Sequence, residues 1–216
     1  MKRVLILCAV FALTAAQVSC EKSPSDTDSG RRTGGFAVVI DPAHGGPDAG
    51  TKFTSGSQEK AVTLLLAGVL AADLRAKGTA VTLTRTGDHF VSYPQRREII
   101  RTAGADLVIS LHAGLHTNQT GPQAVSVFYQ AGNTGSVRLM TALHRTWQGS
   151  PALQGGESQP AHFLMLDSPV PSVILDLNAL VETEGEGRLA DPEFLHALSA
   201  SLVRAVETYR NANISR

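Results

Sequence analysis

Along this chain, short unbroken apolar runs bounded by turn residues alternate with stretches whose apolar positions recur at three- and four-residue spacing. These are the signatures of buried strands and amphipathic helices. The run Phe36–Asp41 (FAVVID) ends in Asp-Pro and Gly-Gly turn signals, which predicts a buried strand that delivers His44 into a loop. Over 57–77, Val62, Leu65, Leu66, Val69, Leu70 and Leu74 mark one helical face, with Ser57 as the expected N-cap, Glu59 in the first turn and Gly78 as the stop. A strand at Ala80–Thr84, a helix over about 94–103 and a strand at Leu107–Leu111 follow, and His112 comes immediately after. Further on, the pattern predicts a strand over 123–129, a helix over 134–148, a strand over 172–177 and a closing helix over 192–211. That last helix should turn Phe194, Leu195, Leu198, Leu202, Val203 and Val206 inward.

The βαβαβ alternation predicts an α/β fold: a single domain over 36–216 with a mostly parallel sheet and no internal repeat. In open sheets of this kind, ligands gather beyond the carboxyl ends of the strands. His44, His112 and Asp176 fall there, and Glu59 opens the helix that follows the first strand. The stretch 149–160 (GSPALQGGESQP) reads as a short Gly/Pro-rich connection.

Residues 1–20 (MKRVLILCAVFALTAAQVSC) have a basic start, an apolar run to about Ala16 and then small residues, the layout of a secretory signal peptide. The run is shorter than the roughly 20 residues that cross a bilayer. Cleavage after Ala16 is one expectation. The other is a lipid anchor at Cys20, which resembles the acceptor cysteine of a bacterial lipoprotein although Gln17 stands where such sequences prefer Leu. Residues 21–35 lack large apolar side chains and are rich in Ser, Asp and Gly, as expected of a flexible tether.

Charge narrows the partners. The 19 cationic side chains balance 19 anionic ones, and removing residues 1–20 takes away Lys2 and Arg3, leaving a small acidic excess. Nucleic acid is excluded as a partner, since binding it needs a net positive field. Two cysteines exclude a disulfide scaffold.

Two imidazoles and a carboxylate are the donor set of catalytic zinc sites, which keep a fourth position for water. From spacing alone the structural reading stays open too, because a histidine at a strand end is commonly just a hydrogen-bonded residue. The phosphate-loop look of HGGPDAGT fails for want of the Gly-Lys-Ser/Thr ending, and HAGLH (His112 to His116) lacks the Glu of the zincin helix. Arg85 and Arg96 read as scaffolding, and the run Glu182, Glu184, Glu186 as a solvated loop.

The segments IDPAHGGPDAG, QEKAVTLLLAGVLAADL, VTLTRTGD and ADLVISLHA, in this order and spacing, resemble the zinc-dependent N-acetylmuramoyl-L-alanine amidase family of the AmiA/AmiC/CwlV type. The resemblance runs from residue 37 to about 209. It implies a twisted six-stranded sheet flanked by helices on both faces, zinc held by His44, Glu59 and His112, and hydrolysis of the amide between the lactyl group of N-acetylmuramic acid and L-alanine. The implied partner is peptidoglycan or its muropeptides, met by an exported monomer in the bacterial cell envelope. Asp176 stands where the family has its catalytic Glu, Gly114 where it has Asn, Ala43 where it has Gly, and Asn178-Ala179 where it has Gly-Phe. These departures keep open a degenerate envelope protein that binds zinc and muropeptide with little turnover, and a zinc amidohydrolase for another amide. The brevity of 149–160 implies that the cleft lacks the autoinhibitory helix of partner-switched amidases.

Overall fold

The computed structural model describes residues 35–115, 124–148, 154–182, 189 and 191–214. The segment expected to be a signal peptide, with Cys20, all but the last residue of the expected tether, and His116 lie outside them. In chain order the elements are β1 (Ala37–Pro42), α1 (Glu59–Ala76), β2 (Ala80–Leu83), α2 (Tyr93–Ala103), β3 (Leu107–His112), β4 (Ala124–Tyr129), α3 (Thr134–Trp147), β5 (Gln154–Pro160), β6 (Ser172–Asp176), α4 (Asn178–Glu182) and α5 (Pro192–Ile214). Among the described residues no helix is long and apolar enough to cross a membrane.

One six-stranded sheet runs β2-β1-β3-β6-β4-β5. The first four of these are mutually parallel, β4 runs antiparallel to β6, and β5 is parallel to β4. The α/β expectation holds, as a mixed and mostly parallel sheet. The central strands are apolar on both faces because both faces are covered. Val38, Ile40, Leu107, Ile109, Leu111, Val173 and Leu175 join the main core with α1, α3 and α5. Their alternates Val39, Val108 and Ile174 pack with Ile100 of α2 and with Met165 and Leu166 of the segment before β6.

Helix boundaries follow local chemistry. Gln58, in extended conformation, is the N-cap of α1, so the helix starts one residue later than a Ser57 cap implies. Leu65, expected on the inner face, is half exposed, and Thr63, Ala67 and Ala71 are buried beside Val62, Leu66, Leu70 and Leu74. The amide of Gly78 bonds back to Arg75 and that of Thr79 to Leu74, closing the helix as expected. In α2, the Gln95 side chain accepts from the backbone amide of Ser92 at 2.8 Å, one half of a capping box. The inward set expected for α5 is buried throughout.

Two elements depart from the sequence reading. Residues 154–160, expected as connection, form the edge strand β5, while 149–153 lie outside the described residues. Residues 178–182 form the short helix α4 with Glu182 at its end, and Glu184 and Glu186 lie outside the description.

Candidate metal centre

The carboxyl ends of β1 and β3 and the N-terminus of α1 meet at one point of the sheet edge. His44 follows β1, Glu59 is the first residue of α1, and His112 is the last of β3. Three of the four residues expected at the rim therefore converge, and one donor atom from each lies within 4.8 Å of the others. His44 Nε2 is 3.2 Å from Glu59 Oε2, and His112 Nδ1 is 3.3 Å from Glu59 Oε1. Neighbouring donors around a tetrahedral zinc with bonds of about 2.0–2.1 Å stand about 3.3 Å apart, and each histidine lies at that scale from the carboxylate, although on a different Glu59 oxygen.

His112 Nδ1 supplies an independent test. It is buried, yet among the described residues it has no aligned hydrogen-bond partner. A buried imidazole nitrogen left this way is costly unless something else occupies its lone pair, as a metal would. The donor set and the orphaned nitrogen both fit a divalent zinc-like ion.

The surroundings orient these donors. His44 Nδ1 pairs with Asp48 Oδ2 at 2.9 Å, which turns Nε2 toward Glu59. Outer carboxylates commonly fix metal-binding histidines this way, and Asp48 is a functional residue the sequence reading missed. The signal was present as an acid four positions after His44 in a turn-rich loop. Each Glu59 oxygen accepts a backbone amide: Oε2 from Thr51 at 3.0 Å and Oε1 from Ala113 at 2.8 Å. Burial pushes the Glu59 carboxyl up, but His112, His44 and the two amides outweigh it and hold the group well below the usual carboxylate range. The Glu59 contact raises His44 above its ordinary value despite partial burial, with Asp48 adding to the effect.

Two glycines make the approach possible. A Cβ on Gly50, at φ +64°, would lie 2.6 Å from the His44 ring and 2.7 Å from Glu59 Oε2. One on Gly114 would strike Thr51 Oγ1 at 1.9 Å, so a side chain at this position requires Thr51 to move.

The loop carrying His44 is itself pinned. Arg96 forms a buried ion pair with Asp41 and donates to the carbonyls of Pro42 at 2.9 Å and His44 at 2.8 Å. Asp41 also accepts from Thr84 and Ser110. Arg85 donates to the carbonyls of Pro42, Ala43 and Lys60. Both arginines thus serve as scaffolding, Arg85 through carbonyls and Arg96 through an acid as well.

Asp176 is placed differently. It ends β6 in register with His112 of β3, so both side chains leave the sheet on the same face. It is buried and does not join the three donor atoms. Its Oδ1 accepts from the amides of Gly114 at 3.0 Å and Asn178 at 3.2 Å.

Comparison with known proteins agrees with this architecture. Residues 38–208 match the family model described as N-acetylmuramoyl-L-alanine amidase. The amidase AmiA of Salmonella typhimurium is 47% identical over 91 residues, covering 42% of this chain but only 31% of that protein. Escherichia coli AmiA is 27% identical over 226 residues, covering 83% of this chain and 78% of AmiA. The solved structure of AmiC2 from Nostoc punctiforme superposes with a TM-score of 0.73 at 29% identity, over 82% of this chain and 98% of that one.

Proposed function

Since the chain belongs to the N-acetylmuramoyl-L-alanine amidase family, we propose that it is a zinc-dependent hydrolase of the amide between the lactyl group of N-acetylmuramic acid and L-alanine in peptidoglycan. The observation that carries this reading is the convergence of His44, Glu59 and His112, with donor atoms within 4.8 Å and a buried nitrogen, His112 Nδ1, that faces Glu59 Oε1 at 3.3 Å without an aligned hydrogen bond. His44, Glu59 and His112 would hold a zinc ion, which would supply Lewis acidity toward water and the amide carbonyl. The remaining work is a proton transfer: a carboxylate takes the proton of the attacking water and returns it to the departing L-alanine nitrogen. Asp176 is the residue for this role, because it leaves the sheet beside His112 on the same face. Asp48 and the amides of Thr51 and Ala113 hold the ligands in place.

Residues 1–20 act as a signal peptide and 21–35 as a tether in this reading, placing a monomeric domain in the bacterial envelope, with Cys20 as the anchoring candidate. The test is mass spectrometry of muropeptides after peptidoglycan is incubated with the zinc-loaded protein. Free stem peptides together with stem-free glycan support the proposal, and an unchanged muropeptide profile sinks it.

A second reading, a binding protein with little turnover, is favoured by one observation. Asp176 is shorter than the family's Glu, and one of its oxygens is held by two backbone amides. Zinc retention without hydrolysis, with hydrolysis gained in Asp176→Glu, would select this reading.

A further inference from the structure

The cleft at the metal centre does not end at the ligands. It shares Tyr93 and Met165 with a larger groove of about 920 Å³ between α2 and the 161–170 segment. The walls are mostly apolar, with Ile100 on one side and Met165 and Val170 on the other. Leu164 and Tyr93 on its rim are 58% and 51% exposed, and Phe90 beside the cleft is 54% exposed. Large apolar side chains left together in water beside a candidate active site mark a place where something docks.

Charge identifies the occupant. Among the described residues, the Arg101 guanidinium is taken by Glu98 at 2.6 Å, whereas Arg97 on the same helix and Asp167 on the opposite wall make no ion pair. The groove therefore offers one unpaired cation and one unpaired anion on an otherwise apolar surface. A scissile amide at the ligands leaves two arms of peptidoglycan to accommodate. The N-acetylated glycan is uncharged in its repeating sugars. The stem peptide carries free carboxylates and, at its diamino acid, an ammonium group, separated by alanine methyls.

We propose, building on the amidase reading above, that this groove is the subsite for the peptide stem, with Arg97 receiving a stem carboxylate and Asp167 the diamino-acid ammonium. Tyr93 and Met165 mark where the stem leaves the cleft, and Ile100 and Val170 receive its methyl groups.

Binding of a stem fragment separates this subsite from turnover. The probe is the tripeptide L-alanyl-γ-D-glutamyl-L-lysine, titrated into the isotope-labelled, zinc-loaded chain and followed by NMR. Saturable shifts are expected at Tyr93, Arg97, Met165 and Asp167. Arg97→Gln should weaken binding about tenfold, the scale of one charge-assisted hydrogen bond. Amidating the glutamyl carboxylate should cost the wild type the same factor and cost Arg97→Gln nothing further, the coupling that a direct pair requires. Norleucine in place of lysine, tested against Asp167→Asn, repeats the cycle for the ammonium. No saturable binding, shifts located elsewhere, or equal losses without coupling would overturn the proposal. Peptide release from peptidoglycan without tripeptide binding would remove the subsite and leave the amidase reading standing. Tripeptide binding without release would do the reverse.

Discussion

The backbone amide of Gly114 donates to Asp176 Oδ1 over 3.0 Å, tying the residues just after β3, the strand that ends in His112, to the carboxylate that ends its neighbour β6. Asn178 donates to the same oxygen. Asparagine at position 176 keeps an oxygen for both amides but cannot take a proton from water. Asp176→Asn should therefore lose at least about a hundredfold in peptidoglycan hydrolysis, within the range that general bases contribute, while zinc content stays at the wild-type level. Metal analysis and a turnover assay on the same preparation check this, and full activity would move the base to another residue.

Asp48 touches no candidate donor atom of the metal site directly, yet it holds the far side of the His44 ring. Asp48→Ala frees that ring to rotate and lowers the basicity of its inner nitrogen. Zinc affinity should drop about 10- to 100-fold, measured by competition with a chromogenic chelator, with little change in the unfolding midpoint of the zinc-free protein.

Gly50→Ala should be more damaging than its single methyl suggests. The new Cβ would sit 2.6 Å from His44 and 2.7 Å from Glu59, at a φ that alanine adopts poorly. Loss of stoichiometric zinc, with far-ultraviolet circular dichroism unchanged, is the expected result. A variant that binds zinc normally would show that Gly50 does not crowd His44 and Glu59 in solution.

Removing Arg96 should unfold more than it uncharges. Arg96→Met leaves the buried Asp41 carboxylate without its cation, an error that costs about 3–5 kcal/mol. Urea denaturation should report that loss. The double substitution Asp41→Leu with Arg96→Met should cost clearly less than the single one, because it leaves no unpaired charge behind.

Zinc-free and zinc-loaded protein should respond to pH in opposite directions. His44 in the metal-free chain has its pKa raised above 6.5, chiefly by Glu59. A folded-state value above the unfolded one adds stability that is complete below pH 6.5 and is lost as pH rises through the folded value. Zinc needs the neutral imidazole, so its contribution is complete above that folded value and shrinks as protons compete. On lowering pH to about 6.5, the Tm of the chelator-stripped protein should rise and that of the zinc-loaded protein should fall. In His44→Gln both trends should flatten.

The first half of the fold was legible because its strands are continuous apolar runs and its helices keep a clean inner face. FAVVID ends where the chain turns to deliver His44, and LVISL runs straight into His112 at the end of β3, so the candidate ligands followed from strand ends and the resemblance. β5 was illegible for the opposite reason. Gln154–Pro160 contains two glycines, a proline and no apolar side chain, and it is a strand only because β4 offers it a ladder. The Leu65 misassignment has a similar origin: leucines crowd both sides of the α1 face, and the sheet decides which of them is covered. The roles of Asp48 and of the Gly114 and Ala113 amides depend on loop conformation, which no periodicity encodes.

The reversal of β4 has a use beyond the site. Because β4 runs against β6, its end at Tyr129 pairs with Val173, whereas Ser126 pairs with Asp176. The turn from Gln130 to Asn133 is therefore carried to the edge of the sheet away from the histidines. The exposed tip of that turn, Ala131 and Gly132, is a natural grafting point: a wall-targeting module or a reporter spliced there, with Asn133 kept for its cap on Ser136 and its bond to the Pro169 carbonyl, would extend the protein without crowding the chemistry at the other edge.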